Sequence, residues 1–152
     1  MHEITRTFLQ PNKKEITVYK IFVKPTNKYF SIYEFFTDQY PNINNFEFPP
    51  IGEWISCYTD VNGLKFPDKL IDPFDEEILY SCGFHSFMNY EQSQLVFKSN
   101  LYNNIIVDCV LCECRAKFRL HYGILNYMID RKKINTEICV SRGIKILKEL
   151  EV

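Results

Sequence analysis

The chain has 152 residues, of which 46% are hydrophobic and 16% aromatic, with 13 Phe, 10 Tyr and a formal net charge of -1. That is enough apolar material for one domain with a real core, without help from disulfides or a metal, and it excludes a chain disordered over most of its length. No apolar run approaches a membrane span, and Met1 to Arg6 lacks the apolar core of a signal peptide, so a soluble, cytoplasmic protein with no membrane contact is expected.

Residues 1–15 are polar and mixed, which predicts a loose arm or a short edge strand. Ile16 to Lys24 is rich in β-branched and aromatic residues and predicts a strand; Pro25-Thr26-Asn27-Lys28 is turn chemistry, and Tyr29 to Phe36 resumes the strand pattern. Together they predict a hairpin. Asp38 to Pro50 reads as a loop broken by Pro41, Pro49 and Pro50, with Phe46 and Phe48 pinning it to the core. Gly52 to Tyr58 predicts a short strand, closed by an Asn62-Gly63 turn. Leu64 to Asp75 reads as loop, and Phe74 to Leu79 as one helical turn whose acids favour the helix dipole.

The stretch Tyr80-Ser81-Cys82-Gly83-Phe84-His85-Ser86-Phe87 is the most unusual in the chain. Gly83 alone takes a positive φ freely, which predicts a sharp bend holding Phe84 and His85 at fixed angles. Asn89 followed by Gln92 resembles a capping box and predicts a short helix through Glu91, Leu95 and Phe97. The octet would then sit at a strand-to-helix junction, where exposed N–H groups favour anions. The same residues also fit a structural role, Phe84 and Phe87 as core anchors and His85 as a hydrogen-bonding group.

Ile105 to Leu120 predicts the longest strand. From Val110 onward its even positions are apolar, and its odd positions are Glu113, Arg115, Lys117 and Arg119, which puts one face in the core and one in water. Within it, Cys109, Cys112 and Cys114 have spacings that raise zinc. In a strand, however, Cys109 points away from Cys112 and Cys114, so no metal, no cofactor and six free thiols are expected. His121-Tyr122-Gly123 ends the strand, Asp130 to Lys133 marks an exposed turn, and Ile138 to Val140 and Ile144 to Leu150 close the fold around Ser141-Arg142-Gly143. The expected architecture is a single α+β domain over residues 1–152, mainly antiparallel sheet with one or two short helices.

Charge is asymmetric: residues 1–112 carry nine Lys and Arg against fourteen Asp and Glu, whereas residues 113–152 carry nine against five. A basic end of this size attracts a nucleotide or an acidic face but does not argue for duplex nucleic acid. Equally, it fits a solvated charged face. Val18-Tyr19-Lys20, Gly52-Glu53-Trp54, Cys82-Gly83-Phe84-His85-Ser86-Phe87, the helix after it and the ending Ser141 to Leu150 resemble small uncharacterised proteins of bacteria and their phages, over about two thirds of the chain. That resemblance implies a viral or mobile-element role and supplies no catalytic residues.

Phosphate loops, nucleophile elbows and zinc-protease motifs are absent, and Cys82 with His85 is the one drawable nucleophile pair. The leading expectation is therefore a non-enzymatic module whose rim, built from Phe84, His85, Arg115, Arg119, His121 and Arg142, holds a small nucleotide-like anion. An interaction or structural subunit with aromatic interface anchors, forming a homo-oligomer or capturing a protein, is the alternative. A transferase or hydrolase using His85 is a third.

Overall fold

The chain is described here from a computed structural model over residues 4–9, 15–31, 46–56, 61–62, 69–71, 78–81, 83–99, 108–118 and 120–152. Its frame is a pair of long strands, β2 (Glu15–Val23) and β9 (Cys109–Lys117), matched antiparallel residue for residue from Glu15 opposite Lys117 to Val23 opposite Cys109. Period-two patterning explains the match. Val18 and Phe22 on one strand and Cys112, Cys114 and Ala116 on the other are fully buried on a common face. Leu111 breaks the alternation because a second layer covers the opposite face there.

The other strands extend this pair. β12 (Gly143–Glu149) joins the free side of β9, and β5 (Trp54–Ser56) joins β12 at the edge. On the far side, β8 (Phe84–Phe87), β11 (Lys132–Ser141), β10 (His121–Ile129) and β1 (Ile4–Leu9) follow in that order, all antiparallel. β3 (Tyr29–Ser31) pairs with the end of β2, and with β4 (Glu47–Phe48) beyond it. A separate pair, β6 (Lys69–Ile71) with β7 (Ile78–Ser81), makes a small second sheet.

Sheet therefore dominates, and α1 (Tyr90–Phe97) is the single helix among the described residues. Asn89 caps it by accepting the Gln92 N–H at 3.0 Å. The reciprocal half of the box is not made: the Gln92 side chain reaches across to β11, accepting from the Glu137 N–H and donating to the Asn135 carbonyl. α1 buries Val96 in the same cluster as Ile21, Leu111 and Phe87. No helix among the described residues is long and apolar enough to cross a membrane.

Phe46 and Phe48 are buried against Phe84 and Phe22, which is how the proline-rich segment is anchored. The hairpin of β2 and β3 forms, and the arm at residues 1–15 contributes edge strand β1. Ile78 and Leu79 belong to strand β7 rather than a helical turn, because Ile78 and the residues after Leu79 pair with β6, a strand absent from the sequence reading. β10 is likewise a full strand where the sequence reading stopped at Gly123. Residues 72–77, 101–107, Cys82 and Gly63 lie outside the described residues.

Gly83 corrects the expected bend. Its φ is not positive; what it lacks is room, since a Cβ there would meet the Ser141 carbonyl oxygen at 2.4 Å. Close approach of β8 to β11, not turn geometry, requires glycine. The chain runs on through it into β8.

Candidate functional site

The residues expected to form one rim are dispersed. Phe84 is wholly buried, with its ring packed between Phe46 and Phe48, so it offers no face for stacking. Arg142 is also buried, in the β11–β12 turn, where its N–H donates to the Phe118 carbonyl at 3.0 Å. His85 and His121 share a row across the sheet, each opposite Val140 from its own side. Arg115 lies elsewhere, on β9, and Arg119 is outside the described residues. Phe84 and Arg142 are thus taken up by the core and not by a rim, Phe84 because its ring packs with other aromatic rings.

His85 is instead tied to a buried lysine. β2 meets β8 at a single pair, Tyr19 with Phe87, and turns to β3 from Phe22 onward. Lys20 sits at this fork, 5% exposed, and its ammonium donates to the His85 carbonyl oxygen at 2.7 Å. Burial pushes its pKa down to about 8. Burial and then the Lys20 charge push the His85 ring down to about 3, so the ring is neutral at ordinary pH and its Nδ1–H donates to the Gly83 carbonyl at 3.2 Å. A neutral imidazole supplies no charge for an anion.

Cys112, Cys114 and Cys139 lie buried on the Lys20 face, and Cys109 belongs to the other, as strand geometry requires. Burial raises all four thiols, Cys112 and Cys139 to about 12, so none is an activated nucleophile. Among the described residues no three His, Cys, Asp or Glu side chains gather as a metal site.

The opposite face of the sheet is different. There the register sets Thr17, Arg115, Lys145 and Trp54 in one row across β2, β9, β12 and β5. The next row holds Glu15, Lys117, Gly143 and Ser56, and a bulge in β12 brings Lys148 opposite Glu113. The Lys117 ammonium lies 3.8 Å from the Trp54 ring centroid and 4.6 Å from that of Phe118, and Lys145 lies 5.0 Å from Trp54.

Phe118 is 54% exposed and holds φ 64, a left-handed conformation that costs a bulky side chain free energy. Gly143 makes room for it, since a Cβ there would stand 2.5 Å from the Phe118 ring. Arg115 is loosely approached by Glu15, at 4.0 Å between partly exposed side chains, a contact worth little. The result is an open surface carrying four cations and two aromatic rings.

Sequence reading put Arg115 and Lys117 on the solvent side of β9, but it placed Phe118 on the core side, whereas β9 ends at Lys117 and the left-handed turn leaves Phe118 54% exposed; Trp54 and Lys145 were left out of the binding set. The one tryptophan in the chain was the available signal; the register that places it beside two lysines was not. Comparison with known proteins returned no matching family model, no matching curated protein and no matching solved structure.

Proposed function

We propose that the chain is a non-catalytic binding module that holds a nucleotide-like anion on the open face of β9, β12 and β5. The observation that carries this reading is the Lys117 ammonium shared by the Trp54 and Phe118 rings, with Lys145 on the same indole and Arg115 in the same row. Aromatic faces accept a base by stacking, while ammonium and guanidinium groups accept a phosphate. The fully buried octet residue Phe84 drops out of the binding set, and Arg115 stays in it. If the resemblance to phage proteins holds, sequestering a host signal nucleotide is one use for such a module.

Trp54 is the only tryptophan, so its fluorescence reports on this surface alone. Titration with nucleoside mono-, di- and triphosphates is expected to quench it saturably, more strongly as phosphates are added. Arg115→Ala and Lys145→Gln should each weaken the response several-fold. A flat titration with every nucleotide overturns the reading and moves the function to the interaction-subunit alternative.

A further inference from the structure

Resting on that reading, we infer that the face is built for a short single strand of nucleic acid, two or three nucleotides long, rather than for a lone nucleotide. The argument is one of stoichiometry. A nucleotide brings one base, yet the surface presents two rings, Trp54 on β5 and Phe118 beyond β9, joined through one ammonium. It also presents four cations, Arg115, Lys117, Lys145 and Lys148, distributed over two neighbouring strands. Strands lie about 4.8 Å apart, so the row from Trp54 to Thr17 spans roughly 14 Å, a track rather than a pocket.

Phe118 sharpens the point. A left-handed backbone lays a large apolar ring over Gly143, and more than half of the residue stays exposed, so part of the ring is open to a ligand. Stacking on unpaired bases uses such a ring whatever the sequence, because each base has a π-face. Duplex nucleic acid cannot use it, since its base faces are already stacked on the neighbouring pairs.

Acidic groups set the length of the track. Glu15 ends one row, and Glu113 stands beside Tyr19, whose hydroxyl pKa is raised by burial and then by Glu113 and Glu91. A phosphate moving past Arg115 toward β2 meets repulsion. The lysine-rich edge at β12 and β5 is therefore the centre of the site, and the strand is short.

The test is equilibrium binding of the full chain to single-stranded DNA and RNA of one to ten nucleotides, followed by Trp54 fluorescence, with a duplex and heparin alongside. Affinity is expected to rise from one to about three nucleotides and then level off, with duplex and heparin weaker. For a 5′-phosphorylated trinucleotide, which carries three phosphates, log affinity should fall against log salt with a slope no steeper than about -2, at about 0.7 per phosphate neutralised on a single strand.

Phe118→Ala should weaken trinucleotide binding on the order of tenfold. Gly143→Ala, which keeps the ring but displaces it, should act in the same direction. Lys145→Gln is a surface change that leaves the core untouched; it should flatten the salt slope by about 0.7, so the inference stays testable if either other variant fails to fold.

A trinucleotide binding no tighter than a mononucleotide overturns this inference and leaves the proposed function standing. No binding of either overturns both. Heparin or duplex binding as tightly as the single strand, unaffected by Phe118→Ala, overturns the stacking argument and leaves only a charged surface.

Discussion

Lys20 and Lys117 lie on two neighbouring strands, on opposite faces of the same sheet, each near an aromatic ring. Lys20 is 5.8 Å from the Phe22 centroid and Lys117 is 3.8 Å from that of Trp54. Their surroundings differ in water. Around Lys20 the neighbours are Val18, Phe22 and the buried thiols, and its ammonium is satisfied by the His85 carbonyl at the fork between β8 and β3. Around Lys117 the neighbours are Trp54, Phe118 and, across the strands, Glu15 and Gly143, and the side chain is partly exposed. The same side chain is thus a strut inside and a usable cation outside, set by the strand face it occupies and by what covers that face.

That contrast predicts where substitutions cost stability and where they cost binding. Phe84→Ala removes a wholly buried ring from contact with Phe46 and Phe48, and a loss of roughly 3–5 kcal/mol in urea unfolding is expected. Trp54→Ala and Phe118→Ala on the open face should each cost less than about 1 kcal/mol. An inverted result, with the open-face rings costing more, would make that surface part of the core and end the comparison.

The next effect is a pH dependence. Lys20 falls from its ordinary value of 10.5 to about 8 in the folded chain, so below pH 8 it is charged in both states and its burial cost is fully present. Between 8 and 10.5 the unfolded chain keeps a proton that the folded chain has released, and stability rises with pH. Above 10.5 the cost is gone. Relative to Lys20→Met, the wild-type chain should gain up to about 3 kcal/mol between pH 7 and 10.5, read from paired urea curves. A difference that stays constant over that range would mean the amine finds enough polar company to remain charged.

Gly83→Ala comes third. The Cβ has to push the Ser141 backbone away, and overpacking of this kind costs on the order of 1–3 kcal/mol. No loss would show that β8 and β11 can separate at that point.

How much of this could be read from the sequence follows from what each feature depends on. The β2–β3 hairpin, the Asn89 cap, the alternation of β9 and the anchoring role of Phe46 and Phe48 are local patterns, and all four appear in the fold. β10 was not read, because Gly123 and Asn126 interrupt its apolar pattern and its pairing to β1 and β11 is what makes it a strand. The open face was half read. Arg115 and Lys117 were assigned to the solvent side, but Trp54 reaches them only through β12, more than twenty residues further along the chain than β9. Phe84 was misplaced from rim to core for a related reason: a strand has two faces, and nothing local says which one its partners will cover.

The smallest expected effect concerns strain, which the two regions use differently. Among the described residues three non-glycine positions have positive φ: Phe118 at 64, and Asp130 and Arg131 at 50 and 65. The last two form the two-residue turn of the β10–β11 hairpin, between Ile129 and Lys132, where both central positions must be left-handed and the second favours glycine. Arg131 is exposed at that turn, away from the β9–β12–β5 face, so Arg131→Gly should relieve strain and raise the unfolding free energy by about 1 kcal/mol while leaving ligand affinity unchanged. Phe118→Gly relieves the same kind of strain but removes a ring, so its stability should move little and its affinity should fall. If instead Phe118→Gly stabilised the chain as much as Arg131→Gly and bound as well, the strain at Phe118 would be ordinary turn strain, and the exposed ring would have no ligand to explain it.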